Sequence, residues 1–268
     1  MSGYILTQGS RKEVKSLHNI AGGAARTVEK AYTLTGGKAM LWYQLGATLG
    51  SLSVGSLVYF AVGGVRTPWL VVHQGLPGDM YDASCNGTWL LMQDIYQSRQ
   101  WNSFNANDYE KSDVHAYLNS TFLNQIESNV KDAIKQVKLP YRKGSGTFTT
   151  VTSGSNGLPA KIFLLSATET SFSFSSMPRD EGAELAYFKG CADNGSDPKR
   201  VAYLDGSATY WWLRSPSCSL SGSALYVGSY GDWSYASCSA SRGIRPALVL
   251  PQEVLVDKNN SVNNVMGG

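Results

Sequence analysis

Trp211-Trp212-Leu213-Arg214-Ser215-Pro216 and, further along, Gly243-Ile244-Arg245-Pro246-Ala247-Leu248-Val249-Leu250 bracket the stretch on which the reading of this chain turns. Both brackets are apolar and strand-like, built from aromatic and aliphatic residues that suit a pleated, half-buried surface. Between them, from Ser215 to Gly243, serine stands at nearly every second position. Tyr226, Tyr230, Trp233, Tyr235, Cys218, Cys238 and several glycines fill the rest, and the window holds no Lys, Glu, Gln or Met. A solvated loop normally carries Lys and Glu. Tyrosine with serine and glycine is instead the composition of contact surfaces, where tyrosine offers a large amphipathic area at low entropic cost and the small residues adapt.

Two readings account for that composition. One is an ordinary Ser/Tyr-rich β structure. The other is targeted mutation of adenines in AAC-type codons, which reaches Ser, Tyr, Cys, Gly, Ala, Asp, Leu, Val and Arg but never Lys, Glu, Gln, Met or Trp. Trp233 is then an unvaried position, and the window carries the trace of a diversity-generating retroelement.

Working outward, 268 residues allow a domain plus an appendage. Charged residues make up 16% of the chain, below the usual value of about 25%, which favours strands, turns and contact surfaces over long solvated helices. The net charge of +3 includes no long basic run; Arg11, Lys12 and Lys15 read as a solvated arm, so no nucleic-acid partner is expected. No secretory signal follows Met1, which points to synthesis in a cytoplasm and free thiols at Cys85, Cys191, Cys218 and Cys238. Leu41–Gly64 is uncharged and long enough to span a bilayer, but its glycines and serines make a poor helix. Its second half alternates: Val58, Phe60 and Val62 on one face, a Gly63-Gly64 turn, then Val65, Trp69 and Val71. That is a hairpin, and no membrane insertion is expected.

Residues 1–50 look separate. A polar arm precedes a strand over Thr27–Leu34, a Gly36-Gly37 turn and a second strand over Lys38–Tyr43; a lone hairpin cannot bury a core, so this region should dock on a partner or on copies of itself. The main domain, 51–253, reads as a strand over Thr88–Tyr96, a polar loop over Trp101–Asp108 and a helix capped at Ser112-Asp113 that carries His115, Leu118, Phe122 and Ile126. A second helix carries Val130, Ile134 and Val137 and stops before Pro140. A loose Ser/Thr/Gly loop over Gly144–Gly157, a buried strand over Lys161–Ser166, a short helix over Glu181–Phe188 and two or three strands between Ala224 and Leu250 follow. Residues 254–268 read as a flexible tail. The fold class is α+β, two amphipathic helices on a compact antiparallel sheet.

Catalytic and metal chemistry find little support. His18, His73 and His115 accompany no nucleophile motif. Asp180-Glu181 and Glu184 read as helix N-terminal charges rather than a glycosidase pair. Gly231-Asp232-Trp233 offers one carboxylate, against the roughly six to eight oxygens a calcium ion takes. No cofactor or metal is expected. Arg214 and Arg245 read as frame residues needing carboxylate or carbonyl partners, with Glu184 and Asp193 as open alternatives.

The pair WWLRSP and GIRPALVLP, preceded by the helix sequence STFLNQIE, resembles the C-type-lectin-like variable proteins that retroelements diversify, of which phage tropism determinants are the best-known kind. The fold resembles that of formylglycine-generating enzymes. The likeness covers roughly Val54–Pro251, and the leader around HNIAGGAARTVEKAY is similar to those of phage virion proteins. The resemblance implies a C-type-lectin-like domain at a phage tail tip or fibre, assembled in the host cytoplasm, with other virion tail proteins as partners and a homo-oligomeric state in which a trimer is favoured. Its ligand would be a protein or glycan receptor on the host surface. The ligand-binding residues expected are Ser217, Ser219, Leu220, Ser221, Tyr226, Gly228, Tyr230, Trp233, Tyr235 and Arg242. The rival readings are a bacterial surface adhesin and an enzyme on the formylglycine-generating fold, for which Cys218 and Cys238 would be poorly placed.

Overall fold

Gly63-Gly64 joins the first two strands of the main sheet. In a computed structural model of the chain, which describes residues 47–144, 150–173, 181–257 and 259–262 and the backbone of four strands between 18 and 44, both glycines take positive φ (59° and 79°). Two consecutive positive φ values make the tight turn whose twist matches antiparallel strands. β1 (Leu57–Val62) and β2 (Val65–Gly75) pair antiparallel through it, with Val58, Phe60 and Val62 buried as their alternation requires. The chain divides into two compact units, Met1–Gly46 and Ala47–Gly268. In the first, His18–Ala21 pairs with Ala24–Thr27 and Lys30–Thr35 with Lys38–Gln44, so the predicted strand over Thr27–Leu34 is two pieces.

The second unit contains β3 (Gly87–Met92), β4 (Gln97–Gln100), β5 (Ile162–Phe163), β6 (Trp211–Pro216), β7 (Ser223–Val227), β8 (Trp233–Ser237), β9 (Ser241–Ile244) and β10 (Ala247–Leu250). With β1 and β2 they form two five-stranded sheets rather than the one compact sheet expected. The first has the order β5-β10-β3-β2-β1 and is antiparallel throughout; the second has the order β8-β7-β6-β9-β4, antiparallel except for the β6–β9 pair. The coarse class, α+β with mainly antiparallel sheets, therefore stands.

Two of the chain's four passages between the sheets are short, at 93–96 and at Arg245-Pro246, and the first ends the predicted strand over Thr88–Tyr96 at Met92. Arg245 holds these crossings together: its Nε donates to the Met92 carbonyl (2.9 Å) and Nη2 to that of Gln93 (2.8 Å). Sequence alternation could not register the break, because Thr88–Met92 is buried on both faces and reads as a continuous apolar run.

Helices are fewer and shorter than predicted. Ser112 does cap α1 (Asp113–Tyr117), accepting from the His115 amide at 3.2 Å, and one π turn and one 3₁₀ turn extend it to Gln125. α2 (Ser128–Ala133) ends early. Val137–Leu139 leaves the helical pattern to pair with Leu158–Ala160, a tertiary pairing that outweighs local periodicity. Over Glu181–Phe188 only one 3₁₀ turn forms, at Ala186–Phe188. The loop over Gly144–Gly157 falls partly outside the described residues, but Val151–Thr152 pairs with Tyr141–Arg142.

The tail differs most from expectation. Leu255–Val256 pairs with Ala47–Thr48, and Val254, Val256 and Val262 are buried. The apolar valines interleaved with polar residues make this an edge ladder, so the packed domain runs from Ala47 to at least Val262. Among the described residues no helix is long and apolar enough to cross a membrane.

Candidate functional site

The frame around the Ser/Tyr window is closed to solvent. Every residue of β6 and every residue from Gly243 to Leu250 is buried. Inside it, Arg214 makes a two-pronged ion pair with Glu169, Nη1 to Oε2 at 2.5 Å and Nη2 to Oε1 at 2.7 Å, with both side chains fully buried. Glu181 lies behind it, its Oε1 4.0 Å from Arg214 Nε. Tyr81 donates to Glu169 (2.8 Å), the Ser166 amide donates to Glu169 (3.0 Å), and Ser215 donates to Glu181. Glu169 and Glu181, not Glu184 or Asp193, are thus the partners of Arg214. They lie 45 and 33 residues away in sequence, and nothing local marks them.

Burial disfavours the Arg214 charge, but the adjacent Glu169 carboxylate outweighs it and holds the group above the ordinary arginine value. Burial likewise lifts Glu181, against the opposing pull of Arg214 and Ser215, and raises the Tyr81 phenol, with Glu169 adding to the effect. A sealed network of this kind braces the frame. The sequence reading of Asp180-Glu181 as helix-terminal charges fails for Glu181, which is buried; Asp180 lies outside the described residues. Arg245 stacks on Trp211 (5.1 Å) and lines an open pocket of about 290 Å³ with Leu57, Leu70, Asp94, Tyr187 and Lys199.

The window itself forms β7, β8 and their turns, and its register sorts the expected residues. Tyr226 pairs with Ser234, Leu225 with Tyr235 and Val227 with Trp233. Paired residues share a face and neighbours alternate, so Tyr226 lies on one face of the sheet while Trp233 and Tyr235 lie on the other. On the Tyr226 face, Arg242 sits against two rings, its Cζ 5.2 Å from the Tyr226 centroid and 5.4 Å from that of Tyr210. The two rings meet edge to face at 5.5 Å. Arg99 is the direct cross-strand partner of Arg242 and stacks on Tyr117 at 3.9 Å. On the opposite face Trp233 packs on the cluster of Ile95, Trp211, Leu213, Leu225 and Val227, and its indole donates to Asn194.

The other expected residues lie elsewhere. Tyr230, 78% exposed, is at the β7–β8 turn. Gly228 closes that turn, its amide donating to the Asp232 carbonyl at 2.7 Å; a side chain there would collide with Asp232, so its role is conformational. Ser219, Leu220 and Ser221 are exposed on the β6–β7 turn, but Ser217 is buried. That turn rests on Asn107, whose buried Nδ2 reaches the carbonyls of Ser217 (3.1 Å), Leu220 (3.0 Å) and Ser223 (2.9 Å). The loop over Trp101–Asp108 is therefore a clasp: Asn105 accepts from Ser237 (2.8 Å), and the Trp101 indole donates to the Leu213 carbonyl (2.9 Å). Its run of asparagines was the one visible signal, since asparagine satisfies stray backbone groups.

All four cysteines are free. Burial lifts the Cys238 thiol to about 12 and those of Cys85 and Cys191 to about 11, which keeps them protonated. Among the described residues no group of three or more His, Cys, Asp or Glu side chains could hold a metal.

Fold and site together define an α+β domain that holds a Ser/Tyr-rich strand pair at one edge of a rigidly braced sheet. The chain belongs to the family described as domain of unknown function DUF6273, whose match runs over residues 86–252 and so takes in the frame, the clasp and the window. No curated protein and no solved structure matches the chain.

Proposed function

We propose that this chain is a receptor-binding protein of a phage tail tip or fibre, with a C-type-lectin-like domain whose window surface engages a host-cell ligand. In this reading residues 1–50 join it to other tail proteins and to copies of itself, and avidity across the copies strengthens a weak single-site contact. The observation that carries the reading is the division of labour in the second sheet. The brackets are fully buried and tied by Arg214–Glu169 and Arg245, while the exposed aromatic and serine positions of the sheet gather between them. Such a frame tolerates changes at the exposed positions of its outer strands and turns without loss of the core, which is what a diversified surface needs.

The test is adsorption of particles carrying Tyr226→Ala, Tyr230→Ala and Tyr235→Ala together, with circular dichroism to establish that the protein folds. Loss of adsorption is expected, since aromatic contacts dominate such interfaces. Unchanged adsorption by a folded variant would rule the surface out. Diversification is tested in the neighbouring DNA: a near-copy of the 3′ end differing only at adenines, beside a reverse transcriptase gene, is the expected finding.

A further inference from the structure

Arg99 and Arg242 stand directly opposite each other on antiparallel strands β4 and β9, so both side chains leave the sheet on the same face. Like charges in that relation repel, which destabilises the pair. Here, among the described residues, no Asp or Glu comes within ion-pair distance of either guanidinium. The Asp113 carboxyl, held low chiefly by its hydrogen bond from Ser103 and least by Arg99, is engaged with the Ser103 amide at 2.7 Å. Each arginine is instead steadied by aromatic rings, Arg99 by Tyr117 and Arg242 by Tyr210 and Tyr226. Stacking fixes a guanidinium in place yet leaves N–H donors for a planar anion; of the Arg242 donors, Nη1 also reaches the Ser241 carbonyl at 2.8 Å and Nε is buried. All five side chains are partly or fully accessible, and Tyr210 is 44% exposed.

We propose that the Arg99–Arg242 pair is the binding site for a carboxylate carried on a sugar ring, so that the ligand is an acidic polysaccharide. This rests on the surface assignment above and adds to it the ligand's class and two residues outside the window, Arg99 and Tyr210. The carboxylate bridges the two guanidinium groups and relieves their repulsion. The tyrosines offer faces to the C–H side of the sugar, and Ser234, opposite Tyr226, supplies a hydroxyl at the rim.

The experiment measures binding of the full chain to polygalacturonate, with neutral dextran and polyglutamate as comparison polymers and the exposed Lys189→Gln as a charge-matched control. Polygalacturonate binding that weakens with salt is expected, and it should fall roughly tenfold to a hundredfold in Arg99→Gln and in Arg242→Gln but not in Lys189→Gln. The melting temperature of both arginine variants should hold or rise, because a repulsion is removed. Absence of binding, an equal loss in Lys189→Gln, or melting temperatures that drop would each overturn the proposal. Equal arginine-dependent binding of polyglutamate would overturn the saccharide class. Polygalacturonate binding lost in the arginine variants while adsorption to cells stays intact would uphold this site and refute the receptor-binding reading. The reverse pattern would uphold that reading and refute the acidic ligand.

Discussion

Glu169→Gln is the sharpest probe of the frame. The substitution keeps the shape of the side chain but removes the charge that faces Arg214, and both groups are fully buried. Breaking one partner of a buried ion pair typically costs about 3–5 kcal/mol, because the other charge is left uncompensated in a poorly solvating interior. Here Glu181, 4.0 Å from Arg214 Nε, remains as a second carboxylate, which places the expected loss near the lower end, about 3 kcal/mol. Against a total stability of roughly 5–15 kcal/mol for a typical domain, that is a large fraction. Urea unfolding of the full chain, followed by tryptophan fluorescence, reads it as a lower midpoint. The control is Glu184→Gln, at an exposed residue, which should change stability by less than about 0.5 kcal/mol. The reasoning fails if Glu169→Gln matches the parent, or if Glu184→Gln costs as much.

Two further outcomes follow from the same geometry. Asn107→Ala should loosen the 217–223 turn at a cost of about 1–2 kcal/mol, since Leu220 and Ser223 keep a backbone donor for their carbonyls; hydrogen exchange at Ser223 should quicken, and unaltered exchange would refute the clasp. Burial lowers the pKa of His115 below its ordinary 6.5, with Glu110 opposing. The unfolded chain therefore binds the proton more readily, and stability falls as pH drops through 6.5 toward the lowered value; His115→Asn should make that acid-side loss shallower, and an identical pH profile would contradict the assignment.

Several elements were legible in the sequence because their cause is local. The β1–β2 hairpin follows from a period of two and a Gly-Gly turn that only glycine forms cheaply. The Ser112 cap follows from an oxygen placed to receive an amide three residues on. The buried brackets of the window follow from apolar runs, and its contact-like composition from the absence of long charged side chains. None of these needs knowledge of a distant partner.

The rest depended on pairings that local propensity does not encode. Val137 has helical spacing yet joins a strand, because Leu158–Ala160 offers a ladder there. The valines after Pro251 become part of the core only when Ala47–Thr48 lies alongside. Glu169 becomes the counter-ion of Arg214, and Arg99 the neighbour of Arg242, through folds of the chain that bring residues 45 and 143 positions apart together. Sequence alone determined the Ser/Tyr-rich composition of Ser215–Gly243, without Lys, Glu, Gln or Met. Which of its side chains share a face was decided by strand register, because a shift of one residue sends every side chain to the other side of the sheet.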